Sequence, residues 1–191
     1  QRTYGWTRSQ CEQLWKDIER LATKNKEGTH FIGSIVHIEP GTQLKSMLKP
    51  SIVIDGQQRM TTVSLILSAL GKVMNEKEYS GEMNNTSIQD YFLFNNNEQG
   101  EKKYRLILTK SDEETLKSIL EGRETPSNPS KTIIENFNFF LDKIRESEID
   151  LGELFNALQR LLMVEISLTE GSDDPQLIFE SLNSTGLRLT Q

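Results

Sequence analysis

The feature that most constrains the fold of this chain is a short apolar run that turns, at an Asp-Gly pair, directly into a helical pattern. Residues 51–55 read S-I-V-I-D, which is typical of a short buried strand, and D-G-Q-Q-R follows at 55–59. After this turn, apolar residues recur at the spacing of one helix face: Val63, Ile66, Leu67, Leu70, Val73 and Met74. The chain therefore needs a sheet that accepts the strand and a core that covers the helix.

Periodicity predicts further helices and strands on both sides of this unit. Helices are expected where apolar residues recur at helical spacing: 7–24, 112–120, 133–144, 151–162 and 175–183. Thr7 and Gln10 fit a capping box at the start of the first of these helices. Strands are expected at 30–39, 104–109 and 163–168, with a polar loop at 40–50. No internal repeat is visible, so the predicted fold class is α+β with helices in the majority.

Length and composition favour one lean globular domain. The chain has 191 residues, of which 35% are hydrophobic and 26% charged. Residues 75–103 are rich in Asn, Glu, Lys and Gly, and we expect them to form a mobile polar insertion. No run approaches the roughly 18 apolar residues of a membrane span and no signal peptide opens the chain, so we expect a cytoplasmic protein with no membrane partner.

The formal charge of −6 conceals a split along the chain. Residues 1–60 contain nine Lys or Arg and six Asp or Glu, a net charge of +3, so the remaining residues carry −9. An acidic protein does not coat nucleic acid indiscriminately, because such binding depends on neutralising many phosphates. A surface for an anionic ligand is therefore expected in the N-terminal third.

The D-G-Q-Q-R turn has the chemistry of a phosphate site. Gly56 permits a tight turn or a close approach by a ligand, and the helix that follows presents unpaired N–H groups at the positive end of its dipole. Arg59 adds a fork of donors suited to phosphate, and Gln57 and Gln58 can donate or accept. These residue types together favour an anion at the turn.

Three neighbouring residues complete this candidate site. Thr61 and Thr62 place hydroxyls in the first turn of the helix, and Asp55 could hold Mg²⁺ or orient an attacking water. The alternative is purely structural, since Asp-Gly often serves turn geometry and Thr often caps a helix. Gly71-Lys72 lacks the upstream glycine of a P-loop, so that class of nucleotide site is excluded.

Cysteine and histidine usage excludes several other sites. Cys11 is the single cysteine, which rules out an internal disulfide and a multi-cysteine metal site. His30 and His37 lie seven apart in a predicted strand, an odd offset that prevents them from being neighbouring ligands on it. We expect His30 to be a hydrogen-bonded strand residue rather than a catalytic base.

Four ordered sequence blocks resemble a known family. They are Q-R-T-Y-G-W at 1–6, H-F-I-G-S-I at 30–35, V-I-D-G-Q-Q-R-M-T-T at 53–62 and F-E-S-L-N-S-T-G at 179–186 followed by Leu189. In this order they resemble the signature of the ParB/sulfiredoxin-like N-terminal domain of GmrSD-type restriction enzymes. Met60 stands where that family usually has Leu, a volume-conserving change that should leave the turn intact. The resemblance covers almost the whole chain and implies a small ParB/sulfiredoxin-like sheet core with surrounding helices.

The resemblance also implies site residues. Asp55, Gln58 and Arg59 would be catalytic, and Asp55 would be the ligand of a Mg²⁺ cofactor. Nucleotide and phosphate binding would fall to a larger set: Arg2, Gly56, Gln57, Gln58, Arg59, Thr61, Thr62 and Asn183.

The two terminal blocks would complete the pocket. Gln1, Arg2 and Tyr4 would line it or form a rim that faces DNA. The pocket would be closed from the C-terminal side by Phe179, Glu180, Asn183 and Gly186. Each block has a structural alternative: Tyr4 and Trp6 could be core aromatics, and Asn183 to Gly186 could be an ordinary helix C-terminus.

The function implied is a nucleotide-binding, NTP-hydrolysing sensor or regulatory domain of a restriction or phage-defence protein that acts on modified foreign DNA. A non-hydrolytic switch of ParB type, which holds a nucleotide or a DNA phosphate, is the main alternative. A third hypothesis is an interaction domain whose apolar helices at 131–162 dock a partner.

The expected partners are a nucleoside triphosphate, DNA and an HNH nuclease domain or subunit outside this chain. We expect residues 1–191 to be a single domain cut at both ends, without nuclease activity of its own.

Overall fold

The computed structural model describes residues 2–39 and 50–169. Within these ranges the chain contains six α-helices and a small three-stranded mixed sheet. The helices are α1 (Arg8–Thr23), α2 (Gln57–Glu76), α3 (Asn85–Ile88), α4 (Lys110–Glu121), α5 (Lys131–Glu146) and α6 (Leu151–Leu158). The strands are β1 (His30–Glu39), β2 (Ile52–Asp55) and β3 (Leu161–Thr169). The fold class is α+β, as predicted.

The chain divides into two compact units. The first consists of residues 1–31 and 58–162, and the second of residues 32–57 and 163–191. The first unit is helical, and in it α1 packs against α5 and α6 while α4 packs against α5. Its interior is built from the apolar faces of these helices, with fully buried side chains that include Ile18, Leu21, Leu70, Phe140 and Leu154. The expectation of a single domain stays a prediction.

Within the described residues, each predicted helix corresponds to an observed one, and the first and last of them have side-chain caps at their N-termini. The Thr7 side chain caps α1 by accepting from the Gln10 backbone N–H, while the Gln10 side chain accepts from the Thr7 backbone N–H at 2.9 Å. This is the predicted capping box. Asp150 caps α6 in a comparable way, because its carboxylate accepts from the N–H groups of Gly152 and Glu153.

Two sequence predictions were wrong. Residues 104–109 do not form a strand. Tyr104 makes only an isolated bridge with Phe94, and among residues 2–39 and 50–169 no strand pairs with the rest of this β-rich run. Leu161 and Leu162 belong to β3 and not to a helix. Helix α6 ends at Leu158, and the Arg160 carbonyl then accepts from the His30 N–H at 2.9 Å, at the starts of β3 and β1.

The polar segment 75–103 contributes to the core of the first unit. It contains α3, a π-helical turn at Gln89–Leu93 and a 3₁₀ turn at Gly100–Lys103. Ile88 is fully buried, and Leu93 and Phe94 are nearly so. Its apolar centre therefore packs like any other core segment, and its mobility stays a prediction.

The sheet has the strand order β2-β1-β3, and most of it lies in the second unit. Strands β1 and β2 are antiparallel, with Val36 opposite Asp55 and His37 opposite Val53. The register shifts between these two pairs, so that β2 carries one extra residue just before its end. The predicted loop at 40–50, except for Pro50, and the predicted helix at 175–183 lie outside the described residues. Among the helices that are described, none has the length and apolar character needed to cross a membrane.

Candidate functional site

The D-G-Q-Q-R segment forms the predicted strand-to-helix turn. Strand β2 ends at Asp55, Gly56 has φ +95°, and α2 begins at Gln57. A Cβ on Gly56 would lie 2.8 Å from the Ser34 carbonyl oxygen and 2.9 Å from the Ile35 Cα, so both the conformation and the space exclude a side chain. Within the second unit, the turn is therefore pressed onto the backbone of β1.

The first turn of α2 has the electrostatic character expected of an anion site. It contains no acidic residue, so the positive end of the helix dipole is not neutralised from within the helix. Gln57, Gln58 and Arg59 are partly exposed there, and Asp55 is also partly exposed at the end of its strand. Contact of these four side chains with a ligand stays a prediction.

Gln58 holds the N-terminal segment in place. Its side-chain carbonyl accepts from the Gly5 N–H at 2.8 Å, and its side-chain amide donates to the Thr3 carbonyl at 3.0 Å. Both functions of the carboxamide are thus used by backbone groups on either side of Tyr4. This arrangement gives Gln58 a positioning role, and a catalytic role for it stays a prediction.

Tyr4 lies inside the first unit, with only 4% of its surface exposed. Asn136 donates to the Tyr4 hydroxyl at 3.1 Å, the hydroxyl lies 2.8 Å from Thr62 Oγ1, and Thr62 donates to the Gln58 carbonyl at 2.9 Å. Because the Thr62 proton is engaged by Gln58, Tyr4 is the donor to Thr62. Burial raises the pKa of Tyr4. Tyr4 is therefore a core aromatic, as the structural alternative predicted, and not an exposed rim residue.

The two threonines of the motif face the interior. Thr61 and Thr62 are both fully buried in α2. The Thr62 hydroxyl links Tyr4 to the α2 backbone. A phosphate contact by either hydroxyl stays a prediction, and the observed role of Thr62 is to join the N-terminal segment to the helix.

Asp112 and Asn136 also hold the N-terminal segment around Tyr4 in place, and we call these contacts the anchor of Tyr4. Neither residue was predicted as a site residue. The Tyr4 N–H donates to Asp112 Oδ2 at 2.6 Å, and Asn136 also donates to the Trp6 carbonyl at 2.9 Å. Asp112 is 1% exposed, and its second oxygen has no hydrogen-bond partner in the part of the chain that is described. The available signal for Asn136 was its position on the apolar face of α5, next to Phe137, where an amide needs a buried partner.

Of the remaining predicted site residues, one is exposed and the others lie outside the described residues. Arg2 is exposed ahead of the anchored segment. Gln1, Asn183 and the rest of the 179–186 block lie outside the described residues, so their roles stay predictions.

Both histidines pair with carboxylates. His30 Nε2 lies 3.2 Å from Asp17 Oδ2, and the His30 backbone N–H donates to the Arg160 carbonyl, as expected of a hydrogen-bonded strand residue. His37 Nε2 lies 2.8 Å from Glu165 Oε1 within the second unit. The other ring nitrogen of His37 is buried and has no partner among residues 2–39 and 50–169. This pair was not predicted.

No group of three or more His, Cys, Asp or Glu side chains suited to a metal ion occurs in the described ranges. Asp55 as a Mg²⁺ ligand therefore stays a prediction. A single carboxylate is the donor set expected where Mg²⁺ arrives with a nucleotide and keeps most of its other ligands as phosphate oxygens and water.

Comparison with known proteins identifies the family of the chain. No curated protein matches the sequence. The model of the GmrSD restriction endonuclease N-terminal domain matches residues 1–191, and the chain therefore belongs to that family.

Proposed function

We propose that this chain is a nucleotide-binding, NTP-hydrolysing regulatory domain of a restriction system, with the D-G-Q-Q-R turn as its phosphate site. Family membership gives the restriction role. The observation that carries the nucleotide proposal is the turn itself, where Gly56 brings the backbone close to β1 and α2 begins with no acidic residue in its first turn. Such a helix N-terminus stabilises phosphate through its N–H groups and its dipole.

In this proposal the side chains of the turn have separate roles in phosphate binding, in orienting water or Mg²⁺, and in positioning. Arg59 and the backbone amides after Gly56 bind the phosphates, and Gln57 contributes a further polar contact. Asp55 orients the attacking water or contacts Mg²⁺ bound to the nucleotide, and the metal supplies charge neutralisation of the phosphates. Gln58 acts by positioning, since its carboxamide is engaged with Thr3 and Gly5.

Two partners follow from the restriction role. We propose that the domain senses DNA, including modified DNA, and that a nuclease domain or subunit carries out the cleavage. The basic N-terminal third, with its net charge of +3, is the part of the chain suited to approach a phosphate backbone.

A non-hydrolytic switch remains the second candidate function, because the same turn would bind a nucleotide without turning it over. The third hypothesis, docking of a partner by the helices at 131–162, is less well supported. The apolar residues of α5 and α6, among them Ile133, Phe140 and Leu154, are already buried in the first unit.

Phosphate release by the purified protein tests the hydrolytic proposal. With Mg²⁺ and each of the common NTPs in turn, Asp55→Ala and Arg59→Ala should each lower the rate by about 100-fold, the typical cost of removing a group that stabilises the transition state. Asp142→Ala and Arg20→Ala are matched controls, because both residues are exposed and lie on other helices, and they should leave the rate unchanged.

Nucleotide affinity separates the two functions. Tight binding that Arg59→Ala abolishes, without phosphate release by the parent protein, would favour the switch. Turnover that persists in both Asp55→Ala and Arg59→Ala would contradict the assignment of the site.

A further inference from the structure

A polar cavity in the first unit is separate from the D-G-Q-Q-R residues. Its volume is about 470 Å³, within the usual range for small-molecule sites. It is lined by α2, by α3 and the π-helical turn that follows, by the last turn of α4 with the loop after it, and by α5. None of the residues of the turn at 55–59 lines it.

Four carboxamide side chains converge on this cavity. They are Asn75 from α2, Asn85 from α3, Gln89 from the π-helical turn and Asn138 from α5. Each carries two donors and an acceptor. This is the chemistry that recognises the edge of a nucleobase, where donors and acceptors alternate and Asn or Gln can form paired hydrogen bonds.

The charges at the cavity favour one anionic group. Lys72 and Arg123 line it with Glu121, which gives a net charge of +1. Arg123 already pairs with Glu121. Lys72 interacts electrostatically with Glu76, but that carboxylate is already hydrogen-bonded to Arg145, and the Lys72 Nζ lies 6.0 Å from the centroid of the Phe137 ring. Lys72 is therefore the cation available to a phosphate, while Phe137, Ile134 and Ile119 supply apolar wall for a ring.

Two backbone features position carboxamides at this cavity: the space left by Gly71 and the π-helical turn that begins at Gln89. Gly71 gives Asn85 its space, because a Cβ at position 71 would lie 2.3 Å from Asn85 Oδ1. Gln89 opens the π-helical turn, in which its carbonyl accepts from the Phe94 N–H at 2.8 Å. Turns of this kind are rare in helices and occur often at functional sites. The Gly71-Lys72 pair, which is not part of a P-loop, therefore has a structural explanation. Gly71 leaves space for Asn85, and Lys72 lines the same cavity.

We propose that this cavity is a second ligand site, which binds one nucleoside monophosphate unit. The base contacts the carboxamides of Asn85, Gln89 and Asn138, and the phosphate lies at Lys72. A largely polar lining does not suit a lipid, and a single carboxylate does not suit a bare divalent cation. The unit comes either from a free nucleotide or from a nucleotide that has left the stack of a DNA strand, since both present the same base and phosphate.

Binding measurements with deoxynucleoside 5′-monophosphates test this proposal. They are made in the Arg59→Ala background, so that the D-G-Q-Q-R turn does not contribute. Saturable binding of at least one monophosphate is expected, and Asn138→Ala should weaken it by about tenfold, as for the loss of one or two good hydrogen bonds. Asn97→Ala, an exposed position outside the cavity, is the matched control and should have no effect.

Two further variants separate the parts of the site. Lys72→Ala should weaken the monophosphate by about tenfold and leave the matching nucleoside unchanged, while Lys16→Ala on α1 should affect neither. Gly71→Ala should displace the Asn85 carboxamide and weaken binding without loss of thermal stability, because Ala is a better helix former than Gly. Thermal unfolding of each variant shows that a loss of binding is not a loss of folding.

Three results would overturn the proposal. The first is no saturable binding in the Arg59→Ala background, and the second is binding that neither Asn138→Ala nor Lys72→Ala weakens relative to that background. The third is equally tight binding of deoxyribose 5-phosphate, which has no base. Competition by a single-stranded oligonucleotide would identify DNA as the source, and its failure to compete would identify the free nucleotide; both results support the site. Loss of this site would leave phosphate release at the D-G-Q-Q-R turn intact, so the two proposals fail separately.

Discussion

Gly56 is the residue of the motif whose identity is most directly dictated by structure. Its φ of +95° and the nearby β1 backbone each oppose a side chain, and the two effects add. At Gly100 φ is also positive, at +63°, but a Cβ there would meet no atom within 4 Å. Substitution of Gly100 therefore introduces backbone strain alone, whereas substitution of Gly56 introduces strain together with a steric clash.

Gly56→Ala should lower the free energy of unfolding by about 3 kcal/mol or more, because strain and a backbone clash combine. Gly100→Ala should cost only about 1 kcal/mol, the conformational part alone. Chemical denaturation of both variants measures the difference. Equal losses would mean that the close approach of Gly56 to β1 does not limit the turn.

The Tyr4 hydroxyl is the middle member of a donor chain that runs from Asn136 through Tyr4 and Thr62 to the Gln58 carbonyl. Tyr4→Phe should lower the free energy of unfolding by about 1–3 kcal/mol, because Asn136 and Thr62 each lose a buried partner. Tyr91→Phe is the control, since Tyr91 is 68% exposed and should change stability by less than about 0.5 kcal/mol. Thermal unfolding gives both values, and a neutral Tyr4→Phe would show that the hydroxyl is replaceable.

At the scale of elements, the backbone of the N-terminal segment is joined to α2 by the carboxamide of Gln58, in addition to the side-chain contact of Tyr4 with Thr62. Gln58→Ala should raise the hydrogen-exchange rate of the Gly5 N–H by about tenfold, because its acceptor is lost and the segment opens more often. Gln99→Ala, at an exposed position, should leave that rate unchanged. If exchange at Gly5 were the same in both, the buried Tyr4 contacts alone would hold the segment.

Helix α4 is joined to the segment before it through one carboxylate. Glu121 accepts from Lys103 Nζ and the Tyr104 hydroxyl, each at 2.9 Å, and from Arg123, and these donors lower its pKa to about 2, with Lys103 the largest cause. Because the folded pKa lies below the ordinary value of 4.5, the stabilisation is fully present above that pH and is lost as the pH falls through about 2.

Glu121→Gln should therefore lower the free energy of unfolding near neutral pH by about 1 kcal/mol, a modest value since the cluster is partly exposed. The difference from the parent protein should shrink steadily below pH 4.5. Glu114→Gln on the same helix is the control, since its side chain is 63% exposed and its contact with Lys117 is long. A deficit that stayed constant with pH would contradict the linkage.

Sequence reasoning succeeded where a local signal and the tertiary structure agree. The capping box of α1, the strand before Asp55 and the apolar face of α2 are each encoded within a few residues. It failed at 104–109 because β-propensity is only realised against a partner strand, and in the described part of the chain this run makes only the isolated bridge of Tyr104 with Phe94. It failed at Leu161 because the i, i+3 spacing of α6 continues by chance into residues that pair with β1.

The candidate site was also predictable only in part, because only some of its residues are neighbours in the sequence. The turn at 55–59 could be identified because its chemistry is contiguous in the sequence. The anchor of Tyr4 by Asp112 and Asn136 could not, since these partners are separated from it by 108 and 132 residues. Only a polar residue on the apolar face of α5 hinted that a buried hydrogen bond was needed there.

At the scale of the whole molecule, the first unit is assembled from two stretches of chain that are not contiguous. Residues 1–31 supply α1 and the N-terminal segment, and residues 58–162 supply the other helices. Removal of the first six residues would therefore take Tyr4 out of the interior and leave Asp112 and Asn136 without partners.

This separation has a consequence for biosynthesis. In a nascent chain Thr3 to Trp6 are synthesised before their partners on α2, α4 and α5, which follow 58, 108 and 132 residues after Tyr4. Contacts so distant along the chain close slowly, because the entropy of the intervening loop must be lost before they form. On the ribosome, the segment from Thr3 to Trp6 therefore completes its packing only after Asn136 has been synthesised, and until then its aromatic side chains are available to chaperones.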